Sequence, residues 1–366
     1  MSIELWLRFA NAQISSNFGN SLLERFHHPE DIFQASVNEM ADLSGFTELQ
    51  ASRIGDDSFI PTQSQIDYLD DHKISLLSQN SEDYPVSLKE IDNAPYVLFV
   101  RGRLDERDRF SVGLVGSRSA TPYGKSVAGK FSRELSNAGL TIVSGGAMGI
   151  DTSVHHAAVE AGGRTVAVLG CGLDIAYPRE NQKMFNQIVD QDQGAIITEF
   201  PLGAQPEPWR FPQRNRIISG MSMGIVVIEA GIPSGALSTA TWAADQGRDV
   251  MAIPGNIDRE ASKGTNGLIK DGAILVDEPG DVLRTLGVLV MKSPATANQL
   301  TLPNPANIPD NQRRILEKLS LTPRHIDALA ADLHLASTDV SVQMTLMELS
   351  GLIRRLPGNC YIRVLN

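Results

Sequence analysis

Cysteine is almost missing from this chain: Cys171 and Cys360 are the only two in 366 residues. They show no metal-type spacing and make no disulfide framework. Aromatic residues are also scarce, at 6%. No apolar run approaches the roughly 18 residues of a membrane-crossing helix. The opening stretch MSIELWLRFANAQ lacks the basic and apolar regions of a secretory signal. These absences predict a protein of a reducing cytoplasm with no membrane contact. Catalytic signatures are missing too, with no Walker-type lysine motif, no H-E-x-x-H and no Cys–His pairing. VGSRSATPYG is not a dinucleotide fingerprint, because Arg118 and Pro122 occupy the turn where glycines are required. Neither a metal nor a cofactor is expected.

Charge is plentiful but uneven. The net formal charge is −11. Residues 1–110 hold 9 Lys/Arg against 19 Asp/Glu, residues 111–290 hold 15 against 18, and residues 291–366 hold 8 against 6. Nearly all the acidity therefore sits in the N-terminal third, and a middle close to neutral has room for a local basic patch.

The first 80 residues read as short helices, with Gly45 in LSGFTELQASRI placed as in a small SAM-like or helix-hairpin-helix domain. The acidic surroundings favour packing over phosphate binding there. From residue 84 the rhythm changes to apolar runs alternating with amphipathic helices: YVLFVRG, SVGLVGSR, TIVSGG, TVAVLG, AIITEF, GIVVIEAG, DVMAIPG and AILV. Continuous apolar strands of this kind belong to a parallel sheet covered on both faces. The expected fold class is α/β, an extended Rossmann-like doubly wound sheet over residues 84–290. Thr121 and Pro122 supply an N-cap and first-turn proline for the helix after SVGLVGSR. A Pro- and Asn-rich linker follows over 291–310. Residues 311–366 read as three helices and a hairpin, the order of a winged helix. The third of these helices has few basic residues, which suits protein contact as well as DNA.

Ligands of an open parallel sheet bind beyond the carboxyl ends of its strands. Glycine-bearing turns stand at those ends: VGSRS, SGGAMG, LGCGLD, EAGIPSG and PGN. Such turns bring backbone N–H groups close to anions. Around them cluster Arg118, the segment from Trp209 through Phe211 to Arg214 and Arg216, and Lys263, Asn266 and Lys270. Forked guanidinium donors beside aromatic rings suit an unpaired polynucleotide, phosphate on one and base on the other. Arg216 has a competing use as the partner of a carboxylate at a strand end. His155 and His156 read as packing or capping groups. Glu199 and Glu229 end strands and are the acid–base candidates of an enzymatic reading.

Seven blocks carry a resemblance: VGSR (115–118), AVLGCGLDIAYPREN (167–181), EFPLG (199–203), FPQRNRIISGMS (211–222), IEAGIPSGALSTA (228–240), GRDVMAIPGN (247–256) and SKGTNGLIKDGA (262–273). Together they resemble the DNA-processing protein A (DprA, or Smf) family of bacterial transformation. The resemblance implies a homodimeric, non-enzymatic binder of single-stranded DNA. It also implies delivery of that DNA to the RecA recombinase past single-strand-binding protein. The family's DNA-pocket residues map onto Ser117, Arg118, Ser144, Gly145, the stretch Arg214–Asn215–Arg216, and Asn266, with Gly146 in the same turn as Gly145. Two departures stand out: Gly146-Ala147-Met148 where a basic residue is frequent, and Gln213 before Arg214. The alternative is a nucleotide-processing phosphoribohydrolase of related fold, whose Pro-Gly-Gly-x-Gly-Thr turn is missing from EAGIPSGA.

Overall fold

Short apolar runs bounded by turn residues become the strands β1 Ile74–Ser78, β2 Val97–Gly102, β3 Ser111–Val115, β4 Thr141–Ser144, β5 Thr165–Val168, β6 Gly194–Thr198, β7 Gly224–Val227, β8 Asp249–Ala252 and β9 Ile274–Leu275. They form one nine-stranded sheet in the order β1-β2-β6-β5-β4-β3-β7-β8-β9. All pairings from β6 to β9 are parallel. β1 and β2 are antiparallel additions at one edge. Every residue of β3 through β7 is buried, which is why these runs lack polar alternation. The computed structural model describes residues 3–288, 310–319, 324–333, 335, 340, 343–344, 347, 353–356 and 360–363.

The helices before the sheet are α1 Ile3–Asn11, α2 Ser16–Phe26, α3 Pro29–Gln34, α4 Val37–Met40, α5 Glu48–Gly55 and α6 Gln63–Asp71. Those woven through it are α7 Val86–Lys89, α8 Pro122–Asn137, α9 Ile150–Glu160, α10 Gln182–Asp190, α11 Arg210–Met221, α12 Gly235–Asp245, α13 Glu260–Lys270 and α14 Pro279–Thr285. One face of the sheet packs Leu88 of α7, Ile217 and Ile218 of α11, and Ala240 of α12 against Val143, Val166 and Ile225. The other face packs Phe131 of α8, Val154 of α9 and Val282 of α14 against Leu114, Ile142 and Val226. Helices on both faces make the doubly wound architecture that uninterrupted apolar strands require.

Residues 1–80 contain one strand among their helices. β1 pairs with β2 from Ile74↔Arg101 to Ser78↔Val97. Trp6, Phe9, Phe18, Leu22 and Ile32 of the helices share a core with Ile74, Tyr96 and Phe99. The N-terminal helices thus lie with the sheet in one compact unit, Met1–Ser293.

The second unit is Pro294–Asn366. Its described elements are α15 Asp310–Lys318, α16 Ile326–Leu333, β10 Arg324–His325, β11 Ile353–Leu356 and β12 Cys360–Arg363. The strands form an antiparallel sheet in the order β10-β12-β11. Ile315, Leu329, Met344 and Ile353 are among its core residues. This is the winged helix expected from the sequence. The expected linker over 291–310, all but its last residue, lies outside the described residues, as does most of the expected third helix.

Phe99 is wholly buried where the helical core meets the sheet. Phe99→Ala is expected to destabilise the first unit by about 3–5 kcal/mol. Urea denaturation followed by circular dichroism should show helix and sheet signals shifting together, and separate midpoints would contradict the shared core.

Candidate nucleic-acid interface

Strand order reverses between β3 and β7, which places the sheet's switch point at the turn after Val115. That turn is tied down from two sides. Ser117 N–H donates to Glu229 O at 2.7 Å, and Ile150 N–H of α9 donates to Ser117 O at 3.1 Å. Thr121 caps α8 by accepting from Gly124 N–H at 3.0 Å, as the sequence predicts. The buried Glu229 carboxylate accepts from the Thr121 N–H at 2.9 Å and hydroxyl at 2.5 Å. Held at both ends, the turn presents Arg118 to solvent.

Helix α11 starts at the same rim, because the chain leaves the carboxyl end of β6 and must return to the amino end of β7. Phe211 stands in its first turn. Gly170, beyond β5, makes room for it: a Cβ there would fall 2.9 Å from the Phe211 ring. The Arg118 guanidinium lies 4.7 Å from the centroid of that ring, and the Tyr177 ring 5.5 Å away. Arg118, Phe211 and Tyr177 therefore form a continuous accessible patch of one cation and two rings. Tyr177 was not singled out from the sequence, although the block LGCGLDIAYPREN that contains it follows a strand end.

The other arginines of FPQRNR face inward: Arg214 departs from the open-rim placement the sequence suggested, and Arg216 takes its competing use as the partner of a strand-end carboxylate. Arg214 is only 4% exposed. Its Nη1 donates to Gly145 O at 2.6 Å and to Val168 O, the free carbonyls beyond β4 and at the end of β5. Arg216 is paired with Glu199 through two bonds of 2.7 Å and reaches Ser16 Oγ of α2 at 2.8 Å. It thereby fastens α11 to β6 and to the N-terminal helices. The physical reason is burial: a guanidinium at these depths needs hydrogen-bond acceptors, and both find several. Asn215 donates to Gly235 O at 3.1 Å.

The remaining predicted residues divide the same way. Ser144 is buried and donates to Leu114 O at 2.7 Å. Gly145 is small of necessity, since a Cβ would sit 2.6 Å from Arg214 Nη2 and 2.7 Å from Asp151 Oδ2. Gly146 has φ +64°, which favours glycine, and its carbonyl accepts from Asn181. Asn266 clasps the Pro-Gly-Asn turn by accepting from Gly255 N–H at 3.1 Å and donating to Gly255 O at 2.9 Å. Lys263 is exposed and paired with Glu260, and Lys270 is exposed at the end of α13. Among the described residues no contact joins either lysine to Arg118 or Phe211. Trp209, at 54% exposure, lies edge-on to Phe200 on the other side of the α11 terminus.

The enzymatic candidates are committed elsewhere. Glu199 is the counterion of Arg216 and Glu229 the anchor of Thr121. The pentapeptide GMSMG (220–224) has the spelling of a hydrolase nucleophile turn. Ser222, however, ends a helix instead of starting one, is fully buried, and donates to Ile218 O at 2.8 Å.

Burial pushes the Asp151 carboxyl up to about 6, against the opposing pull of Arg214. Burial also draws Arg214 down to about 10, opposed by Asp151. His155, buried with Nδ1 at 2.7 Å from Thr165 Oγ1, is driven down to about 3 by burial, then by the neighbouring His156 and Arg214 charges. The signs oppose each other. Folded Asp151 binds its proton more tightly than the unfolded chain, so its share of stability rises as pH falls from 6 to 4. Folded His155 binds its proton less tightly, so its share is lost as pH falls below 6.5.

Two outcomes are expected. Asp151→Asn should lose stability more steeply than the parent between pH 6 and 4, by up to roughly 3 kcal/mol at about 1.4 kcal/mol per pKa unit. Thermal melts across that range decide it. Glu199→Leu should cost about 3–5 kcal/mol by leaving Arg216 buried without its counterion. In the Glu199→Leu/Arg216→Met double variant most of that loss should be recovered, measured by urea unfolding.

Comparison with known proteins completes the description. The family model for DNA recombination-mediator protein A matches residues 75–287, and the DprA winged helix domain model matches residues 294–359. Protein Smf of Escherichia coli K12 is 35% identical over 363 residues, spanning 99% of this chain and 96% of its own. DNA processing protein DprA of Streptococcus pneumoniae R6 is 44% identical over 200 residues, 55% of this chain and 70% of its own. An X-ray structure of the pneumococcal protein superposes with a TM-score of 0.66 at 35% identity, covering 78% of this chain and 98% of that one. Helicobacter pylori DNA processing protein A, described for its single-stranded-DNA binding mode, superposes with a TM-score of 0.52 at 28% identity, covering 58% and 95%. Among the described residues no helix is long and apolar enough to cross a membrane.

Proposed function

This chain belongs to the DNA recombination-mediator protein A family, and on that premise we propose that it binds single-stranded DNA at the Arg118–Phe211–Tyr177 patch, without covalent chemistry. The observation that carries the reading is the Arg118 guanidinium poised 4.7 Å over the Phe211 ring at the sheet's switch point. A strand laid there gives a phosphate to the guanidinium fork and a base to the ring edge or to Tyr177. The likeness to a Helicobacter pylori protein with a single-stranded-DNA binding mode supports it.

The residues divide into two roles. Ser117, Arg118, Tyr177, Phe211 and Trp209 are the contact groups, with Lys263 and Lys270 as outlying cations on α13. Ser144, Gly145, Gly146, Arg214, Asn215, Arg216 and Asn266 hold the turns in place. In the cell the bound strand would be handed to the RecA recombinase in the cytoplasm, in the presence of single-strand-binding protein, by a homodimer joined through the sheet domain. Natural transformation and recombination are the processes this serves.

Arg118→Ala is expected to weaken binding of a fluorescent oligo-dT by about 1.5–3 kcal/mol, the range of a charge-assisted hydrogen bond. The slope of log affinity against log salt should shrink by about 0.7, one phosphate's share on a single strand. Fluorescence anisotropy at several salt concentrations measures both. Parent-like affinity with a parent-like slope would remove Arg118 from the interface.

A further inference from the structure

A cavity of about 520 Å³ lies between the N-terminal helices and the start of α11, and neither Arg118 nor Phe211 lines it. Trp209, Trp242 and Tyr96 contribute aromatic walls, and Arg53, Asn93 and Gln213 contribute polar ones. Its volume is within the range of small-molecule sites.

We propose that this cavity receives a nucleobase of the strand gripped at Phe211, so that the first turn of α11 separates two base sites. The proposal rests on the single-strand reading above. Phosphate is a poor occupant of the interior, because Glu199 takes both forks of Arg216 and, among the described residues, Arg53, 5.0 Å from the Phe59 ring, is the one lining charge without an ion pair. A purely apolar molecule is a poor occupant too. Among the described residues nothing hydrogen-bonds to the side-chain amides of Asn93 and Gln213, and each offers a donor and an acceptor. An unpaired base, flat and rimmed by donors and acceptors, satisfies both conditions.

The aromatic walls are pre-set. Trp209 is 54% exposed, yet its ring is fixed: Phe200 meets it edge-on at 6.2 Å, Arg210 lies 5.0 Å from its centroid, and its indole N–H donates to Glu207. The Trp242 indole N–H donates to Pro212 O at 3.2 Å. Rings already held lose little freedom when a base stacks on them. Trp209 and Phe211 are two residues apart at the helix start, so one strand crossing that terminus meets both.

The test uses the full chain and a set of dT oligomers, each with one abasic position, read by anisotropy. In the parent, two separate positions should be sensitive, each weakening binding about tenfold, the scale of a base–aromatic stack. Phe211→Ala should abolish one sensitivity and Trp209→Ala the other, while Trp209→Phe restores it, which excludes a merely misfolded rim. An unchanged abasic profile in Trp209→Ala overturns the proposal. So does deoxythymidine monophosphate that shields Trp209 from acrylamide quenching while a saturating oligomer is bound, because the cavity then takes free nucleotide. A parent protein that binds no oligomer defeats the single-strand reading itself, an outcome distinct from losing the cavity alone.

Discussion

The carboxyl rim is organised by one buried cation. Two parallel strands end side by side with carbonyls that no neighbouring strand satisfies, and the Arg214 guanidinium supplies donors to Gly145 O and Val168 O together. Leaving either acceptor unpaired would cost about 1–3 kcal/mol. Arg214 therefore sets the spacing of the turns after β4 and β5 and fixes the rotation of α11, whose Phe211 lies over Gly170. Asp151 converges on the same point and opposes the isolated charge without cancelling it through a direct ion pair. The accessible chemistry of Arg118 and Phe211 is only as well placed as this concealed frame.

A neighbouring device extends the frame to the N-terminal helices. Arg216 holds Glu199 beyond β6 and Ser16 at the start of α2, so α11 is braced against the sheet and the helices at once. The helix can then present different groups on either side of its terminus, Phe211 toward Arg118 and Trp209 toward the cavity. A cluster of basic and aromatic residues in one short segment thus has three roles interleaved: Arg214 and Arg216 inside, Phe211 on one flank, Trp209 on the other.

How much of this was legible follows from sequence distance. The parallel strands were readable because burial on both faces makes each an unbroken apolar run, and Thr121–Pro122 marked a helix start by local chemistry. β1 was not readable: ISLLS is five residues of mixed burial after a helix, and pairing with β2 gives it its identity. The turns at the switch point were readable from glycines at strand ends, and the exposed Arg118 came with them. The direction of Arg214 was not. Its partners lie 69 and 46 residues away, and Arg216 meets Glu199 across 17. A side chain's inward turn depends on acceptors that only the assembled sheet brings near. The same distance conceals Tyr177 beside Phe211.

The charge pattern follows from the same division. A net −11 repels a polyanion at long range, but screening confines that field to about 8 Å at physiological ionic strength. Most of the acidity is in residues 1–110, whereas Arg118 stands at the switch point of a sheet domain whose segment nets only −3 (15 against 18 over 111–290). Two of the rim's arginines, Arg214 and Arg216, are consumed in the frame and add nothing to the proposed binding surface. On the proposed reading it combines the exposed Arg118 guanidinium with base stacking, which is tolerant of sequence. Such a combination would select unpaired strands, since a duplex offers the phosphate but hides the faces of its bases.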